Sequence, residues 1–255
     1  MAAGRRRKVK LPKVSKADAK RAGLFSLRAV GWAIAFVAFS PFIGAIVYRF
    51  LPPPGTWTML ERKLSGDVII HPWTPLEEIS PHLVRAAIAA EDSRFCLHNG
   101  IDFEAVKDAF EENRENGAKK NGRRRGGSTI SQQTAKNVFL WNGGGWVRKG
   151  LETWFTLVSE AIWGKRRTME LYLNVAEWGN GYFGAEAAAQ GRFGKNAADL
   201  SRQEAALLAA VLPSPNRWRA VNPGPYVRAR AATIRKRMEV VRSEGLDGCV
   251  LGGSK

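Results

Sequence analysis

The sequence predicts a mostly α-helical domain that follows a single N-terminal transmembrane helix. Three observations lead to this prediction. Residues 29–48 contain no charged side chain, and as a helix this run would span roughly 30 Å, the thickness of a bilayer's hydrocarbon core. From Ser80 onward, apolar residues recur at spacings of three and four, the period of a buried helical face. Capping-box patterns that begin at Thr129 and Ser201 mark two helix starts in that region.

The first 28 residues are strongly basic. They hold ten lysines or arginines against one acid, Asp18, whereas the other 227 residues hold 30 basic and 22 acidic side chains. We expect a disordered tail at 1–28 that stays in the cytoplasm, since positive charge remains on that side of an anchor, where it can contact anionic lipid heads. The charge is confined to this tail and one loop, and no basic face is interleaved with aromatic residues, so a nucleic-acid partner is not expected.

The apolar segment at 29–49 is predicted to be a retained transmembrane anchor. Trp32 and Tyr48 lie near its two ends, where amphipathic rings favour the membrane interface. A cleaved signal peptide is the alternative, but its apolar core would be shorter, about 7–15 residues, and a small-residue cleavage site would follow. Here the run is longer and leads into Arg49 and the prolines at 52–54, which favours the anchor.

A juxtamembrane segment at 50–74 is expected between the anchor and the first clear helix. Pro-Pro-Pro-Gly-Thr at 52–56 should form a stiff exit from the membrane. Val68-Ile69-Ile70 is a candidate short strand. The main domain then covers 75–245, and residues 246–255 form a C-terminal tail.

A carboxylate lies where the first helix of the domain should end. Ser80 and Pro81 form a helix start, with serine as the cap and proline at the first helical position. An apolar face then leads to Glu91, which a second acid, Asp92, follows. The negative end of the helix dipole and apolar surroundings both raise the pKa of such a carboxylate. Glu91 could therefore exchange protons near neutral pH, although an ordinary solvated helix end would show the same pair.

Further helices follow, joined by polar or glycine-rich segments. Asp102 can cap a helix that carries Phe103, Val106 and Phe110 on one face. The basic, glycine-rich stretch 113–127 follows as a mobile loop, and two interpretations of it are equally open: a solvated linker, or an electrostatic guide for an anionic substrate or membrane surface. The expected helix spans are 103–112, 130–140, 147–164, 168–176, 202–212 and 227–244.

Two groups of polar residues do not fit a plain core. On the helix after Gly127, four side chains form a stripe without opposing acids that suits an oxygen-rich ligand. On the next helix, Arg148 and Glu152 are i, i+4 neighbours, a spacing that by itself predicts only a weak surface ion pair. The members of the stripe are Thr129, Gln132, Gln133 and Lys136.

Four motifs follow one another along the domain. They read Glu91-Asp-Ser-Arg-Phe-Cys-Leu-His98-Asn-Gly-Ile-Asp102, Gly127-Ser128-Thr129-Ile130-Ser131-Gln132-Gln133 with Lys136-Asn137, Arg148-Lys149-Gly150-Leu151-Glu152, and Arg167-Thr-Met-Glu170-Leu-Tyr172-Leu-Asn174. In this order they resemble the motifs of the peptidoglycan glycosyltransferases, the family of the transglycosylase domain of class A penicillin-binding proteins. The similarity covers residues 75–222. With no room for a transpeptidase domain, the chain resembles the monofunctional members.

The resemblance implies a lysozyme-like α fold and a lipid-linked substrate. Lipid II and the growing glycan chain would be joined through an inverting displacement that makes a β-1,4 linkage and releases undecaprenyl pyrophosphate. The chain would be a single-pass protein of the inner (cytoplasmic) membrane, with its catalytic domain in the periplasm. Proteins of cell-wall synthesis or division would be its protein partners.

The resemblance also assigns roles to the motif residues. Glu91 would be the base, while Lys136 and Arg148 would bind the pyrophosphate. Glu152 would be the second catalytic carboxylate, with two roles open: it orients Arg148 and Lys136, or it holds a divalent cation against the pyrophosphate. No cofactor is required, although a divalent cation, Mg²⁺ or Mn²⁺, could be held at Glu152. The other substrate-binding residues would be Ser128, Thr129, Gln132, Gln133 and Asn174, and those that support the site would be Asp92, Phe95, His98 and Asp102.

Two alternatives to polymerisation stay open. A lysozyme-like hydrolase would use two glutamates on an α fold, together with a water nucleophile. A membrane-anchored scaffold with a degenerate site would not need the intact Glu91, Lys136, Arg148 and Glu152. The sequence leaves open whether Cys96 and Cys249 form a disulfide.

Overall fold

The computed structural model describes residues 16–117 and 126–252. Ten helices lie in these ranges, together with three short 3-10 turns at 76–78, 95–97 and 197–199. The helices are α1 (Lys16–Phe50), α2 (Trp57–Leu64), α3 (Pro81–Glu91), α4 (Phe103–Gly117), α5 (Ile130–Phe139), α6 (Gly145–Val175), α7 (Ala185–Phe193), α8 (Arg202–Val211), α9 (Pro225–Ser243) and α10 (Gly248–Leu251). The mostly helical fold is therefore confirmed.

Helix α1 contains the predicted anchor. Its residues up to Ser40 belong to one compact unit, and the chain from Pro41 onward belongs to a second. Leu24–Phe50 contains an 18-residue window with a mean hydropathy of 2.1 and is, among the described residues, the one helix long and apolar enough to cross a membrane. The expected disordered tail is wrong for residues 16–28, because these alanines, lysines and leucines favour helix and extend the helix of the anchor. Residues 1–15 lie outside the described ranges.

The core of the domain forms where α3 packs against α8 and α9. Helix α3 begins as predicted, with the Ser80 hydroxyl accepting a hydrogen bond from the backbone of His82. Its inner face consists largely of small apolar residues, and these allow the neighbouring helices to approach closely. The end of α3 at Glu91 is thereby held against the rest of the domain.

Helices α5 and α6 form the second main packing contact. Thr129 and Gln132 make the predicted capping box at the start of α5. The two helices expected at 147–164 and 168–176 meet in α6, which is interrupted at Gly164 with φ of 67°. Glycine adopts this left-handed backbone without the steric cost that other residues pay there.

Several local features differ from the expectations. Helices α2, α7 and α10 were not predicted, since each is short or rich in alanine and glycine. The strand expected at 68–70 is wrong: Ile70 makes one isolated bridge, to Tyr182, and the tight turn around Tyr182 offers no further backbone to pair. The loop expected at 113–127 lies largely outside the described ranges, with α4 continuing to Gly117.

The apolar face predicted for α4 is exposed. Asp102 caps the helix as expected, because its Oδ1 accepts a hydrogen bond from the backbone of Ala105 at 2.9 Å. Phe103, Val106 and Phe110, however, are 76%, 44% and 69% exposed. Periodicity predicts the helix and the composition of its face, and does not determine what covers that face.

A disulfide joins Cys96 to Cys249, with their Cα atoms 5.6 Å apart. Cys96 lies in the turn that follows Glu91, and Cys249 lies in α10. Two further contacts hold this end of the chain: Arg85 pairs with Asp247 at 2.6 Å, and Arg166 donates to the carbonyl of Val250 at 2.8 Å. The C-terminal segment is thus fastened to the first motif.

Reduction of this disulfide should destabilise the domain. The bond closes a loop of about 150 residues, and removal of a native disulfide typically costs about 2–5 kcal/mol of the free energy of unfolding. Thermal unfolding in detergent, with and without dithiothreitol, should show a lower Tm for the reduced protein. The double variant C96A/C249A should have that lower Tm and should not respond to the reductant. An equal Tm for the oxidised and reduced wild type would contradict the prediction.

Candidate active site

Glu91 lies at the end of α3 with only 16% of its side chain exposed. Gln133 on α5 donates a hydrogen bond from Nε2 to Glu91 Oε2 at 3.1 Å, and Arg230 Nη2 lies 3.7 Å from Oε1. Burial raises the pKa of Glu91; Gln133 and Arg230 lower it in part, and the neighbouring Asp92 raises it further. The result is a carboxylate whose pKa is moved toward neutral pH, as a general base requires.

Arg230 was missed in the sequence. It lies on α9, outside the four motifs, where the apolar periodicity indicated a core helix and gave no sign of a polar role. Its Nε atom is buried and, within the described ranges, has no hydrogen-bond partner. Among the residues that the structure describes, Glu91 is the acid with which Arg230 forms an ion pair.

Removal of the Arg230 charge should shift the pH dependence of activity. Because the guanidinium stabilises ionised Glu91, Arg230→Gln should raise the pKa of Glu91 and move the acid limb of kcat/KM to higher pH. Arg230→Lys should restore most of the wild-type profile. Arg237→Gln is the control, since Arg237 lines the same cavity. A profile unchanged in Arg230→Gln would show that the two groups do not interact.

Glu152 forms the centre of a group of cations. Its carboxylate is 4% exposed, accepts a hydrogen bond from Arg148 Nη1 at 2.6 Å and also contacts Lys149 Nζ. Lys149 donates in addition to Ser128 Oγ at 3.2 Å. The predicted Arg148–Glu152 pair is thus largely buried, and Lys149, for which the sequence predicted no role, completes the group.

Lys136 extends this group of positive charges. Burial lowers its pKa, Glu152 raises it, and Arg148 and Lys149 lower it further. Three cations thus act on one another around a single carboxylate. Such an arrangement favours the binding of an anion that supplies more negative charge.

Two cavities meet at Gln133 and Lys136. The Glu91 cavity, of about 850 Å³, is lined by Glu91, Ser128 and Arg230 as well as by these two residues. The α2 cavity, of about 420 Å³, continues from the same pair to polar side chains of α2, of the segment between α5 and α6, and of the segment after α6. Those side chains include Thr58, Glu61, Arg62, Asn142 and Glu177.

Comparisons with known proteins identify the family. A sequence model described as transglycosylase matches residues 62–239. The chain belongs to the transglycosylase family. It is 55% identical over 222 residues to the biosynthetic peptidoglycan transglycosylase of Rhodospirillum centenum, covering 87% of this chain and 92% of that protein. The proteins of the same name from Caulobacter vibrioides and Pseudomonas aeruginosa are 53% and 50% identical, over 82% and 80% of this chain and 90% and 88% of theirs. The domain of this family is lysozyme-like.

Three residues of the transglycosylase that are predicted to bind substrate make structural contacts within the domain. Asn174 is fully buried, and its amide pairs with the backbone of Thr74 in both directions at 2.8 Å. Thr129 and Gln132 are 2% and 4% exposed, and each side chain caps α5. The side chains of Asn174 and Gln132 are thus occupied by these contacts, and Thr129 lines the Glu91 cavity; substrate binding by the three residues stays a prediction. The spacing of the polar stripe predicts that its members share one face of the helix, but it does not predict which of those side chains are buried in the domain.

The residues predicted to support the site hold the first motif against α5. Asp92 Oδ2 accepts a hydrogen bond from the backbone of Ile130 at 2.9 Å, and His98 Nε2 lies 3.1 Å from both Asp92 oxygens. Phe95 is fully buried beneath this loop, and Asp102 caps α4. These contacts position the end of α3 relative to the start of α5.

The side chains around Glu152 do not fit a divalent cation. Both carboxylate oxygens already contact cationic side chains, Arg148 and Lys149, and Lys136 adds positive charge. The ligand atoms of Asp92, His98 and Asp102 come within 4.8 Å of one another, but their oxygens accept the hydrogen bonds that hold the first motif. The Mg²⁺ or Mn²⁺ site suggested at Glu152 thus has no free carboxylate oxygen in this arrangement.

Proposed function

We propose that this transglycosylase polymerises lipid II into the β-1,4 glycan strands of peptidoglycan, with Glu91 as the base. The observation that carries the proposal is that Glu91 and Lys136 line one cavity, and that Lys136 interacts with the charged group of Arg148, Lys149 and Glu152. A hydroxyl that must lose a proton and a pyrophosphate that must leave can thus be bound in a single site.

The reaction is a direct displacement at the anomeric carbon of the donor. The proton of the acceptor 4-hydroxyl moves to the Glu91 carboxylate as the oxygen bonds to the donor carbon. The bond from that carbon to the pyrophosphate oxygen breaks, and its electron pair leaves with the pyrophosphate. Attack opposite the leaving group inverts the configuration, from the α-linked donor to a β-linked product.

The group of cations stabilises the leaving pyrophosphate. Arg148 offers a planar pair of donors to phosphate oxygens, and Lys136 adds a compact charge. Lys136 has no hydrogen bond to an acid in the part of the chain that the structure describes, so it is available to an anion. Glu152 holds Arg148 and Lys149 in place and limits their mutual repulsion.

The α2 cavity is the proposed place for the sugars of the strand. Hydroxyl, amide and carboxylate side chains line it, and these suit the hydroxyls of a carbohydrate. Lys136, which is proposed to bind the pyrophosphate, also lines this cavity, so sugars bound there would lie next to the pyrophosphate. Part of its wall comes from α2, a helix that precedes the first motif.

The anchor brings the domain to a substrate that is confined to the bilayer. Tethering replaces a three-dimensional search by a local one. The basic residues before the anchor favour a cytoplasmic N terminus and a periplasmic domain on the inner membrane. The exposed face of Phe103, Val106 and Phe110 suits the membrane interface, and proteins of cell-wall synthesis or division are the proposed partners.

Incubation of the purified full-length protein with fluorescent lipid II tests the proposal. We expect long glycan chains that a muramidase digests, together with the release of undecaprenyl pyrophosphate. Digestion of preformed glycan without polymer formation would instead identify a hydrolase. No activity on either substrate, in protein that unfolds cooperatively, would favour the scaffold interpretation.

A further inference from the structure

A third cavity, lined by arginines, lies next to the proposed sugar site. This arginine cavity has a volume of about 500 Å³ and is lined by Arg192, Arg217, Arg219 and Trp218, along with small and amide side chains. None of the described residues that line it is acidic. Three positive charges therefore face one concave space without compensation from its walls.

The arginines are placed for an external anion. Arg192 lies over the ring of Tyr182 at 5.2 Å and donates to the backbone carbonyl of Trp178 at 3.4 Å, which fixes its guanidinium. Arg217 and Arg219 are exposed, and within the described ranges neither forms an ion pair. A guanidinium binds carboxylates through two parallel donors, so this set suits a ligand that carries carboxylates.

The wall between the arginine cavity and the α2 cavity is tightly built. The backbone of Asn180 donates to Asn216 Oδ1 at 2.6 Å, and Asn216 Nδ2 donates to Glu177 Oε1 at 3.0 Å. At Gly179, φ is 101°, and a Cβ atom would lie 2.2 Å from the Pro215 carbonyl oxygen. Only glycine permits this approach, so the wall is held in one arrangement.

Pro215 lines both cavities. A glycan in the α2 cavity would therefore place the substituents of its sugars beside the arginines. We infer that the arginine cavity binds the carboxylates of the peptide stem carried by the glycan strand. This inference rests on the proposed function, because it assumes that the glycan strand binds in the α2 cavity.

An anionic lipid head is the other ligand with suitable chemistry. The shared wall with the cavity of Lys136 favours the substrate, since a stem attached to the bound strand would be held at high effective concentration beside the arginines. The stem bears free carboxylates, including its own C terminus. Binding to anionic vesicles distinguishes the lipid head from the peptide stem.

Two lipid II substrates separate the stem from the rest of the reaction: one with the natural stem, and one whose stem carboxylates are all amidated. With the full-length wild type in detergent micelles, we expect KM for the amidated substrate to be about three- to tenfold higher, at similar kcat. The variant R217Q/R219Q should show that higher KM with both substrates. The control R235Q/K236Q removes the same charge from the exposed surface of α9 and should behave as the wild type.

The outcomes distinguish this inference from the proposed function. If neither substrate is polymerised, the proposed function fails. If both are polymerised with equal KM by the wild type, only the stem site is overturned. If R217Q/R219Q keeps its response to amidation but binds vesicles of 30% phosphatidylglycerol less tightly than the control variant does, the arginines bind lipid heads and the inference is wrong.

Discussion

Glu91→Gln should lower kcat for lipid II polymerisation by about 10²–10⁴-fold, the contribution of a positioned general base. Glutamine has the shape of glutamate and can still accept the hydrogen bond from Gln133, but it cannot take the proton of the acceptor hydroxyl. Because burial already disfavours the ionised carboxylate, the neutral substitution should not lower the Tm. The expected variant is folded and binds substrate, but it polymerises that substrate far more slowly than the wild type.

The matched control is Glu104→Gln. Glu104 lines the same cavity, but it lies at the rim with 69% of its side chain exposed and pairs with Arg94. We expect its kcat to stay within about twofold of wild type, since an exposed ion pair contributes little. Steady-state rates with fluorescent lipid II measure both variants. Equal losses in the two would show that the cavity needs negative charge in general and would argue against a base at position 91.

Lys136→Met should lower kcat by about 10²–10³-fold, the usual effect of removing one group that stabilises developing charge. The leaving pyrophosphate gains negative charge as its bond to the sugar breaks, and Lys136 is the cation that lines both cavities. Lys136→Arg, which keeps the charge, should retain much more activity. Lys63→Met, at an exposed position of α2, is the control and should have wild-type rates.

Stability separates this effect from misfolding. Burial and the two neighbouring cations lower the pKa of Lys136, so its charged form is less favourable in the folded protein than in the unfolded chain. That cost is fully present below the lowered pKa of the folded protein, and it is lost as the pH rises from there to the ordinary lysine pKa. Lys136→Met should therefore unfold at the wild-type temperature or above it. A lower Tm, matched to the loss of activity, would mean that Lys136 is needed for the fold.

The sequence predicted most helices where local signals are strong. Ser80, Thr129 and Ser201 cap helices in the structure as they do in the pattern, because a cap depends on residues within one turn. Helix α2 was missed because its eight residues give too short a window for periodicity. The exposed face of α4 shows the converse case, in which the periodicity is right and the burial is not.

The site was harder to predict than the helices because its contacts are long-range. The motifs brought Glu91, Lys136, Arg148 and Glu152 into consideration, but Arg230 is 139 positions after Glu91 and meets it only through the packing of α9 on α3. For the same reason, the sequence did not predict whether Cys96 and Cys249 form a disulfide. Asn174 shows the converse: it belongs to a motif, and the long-range contact between its amide and the backbone of Thr74 was not predicted.

The pH dependence of kcat/KM tests the central claim, that Glu91 is the base. In the wild type, activity should rise through a pKa above the ordinary range of glutamate and fall at high pH through a pKa below the ordinary range of lysine, because Glu91 must be ionised and Lys136 charged. In Glu91→Gln, the residual activity should have lost the acid limb and kept the alkaline one. An acid limb that remains in Glu91→Gln at the wild-type position would contradict the account, since another group would then be the base.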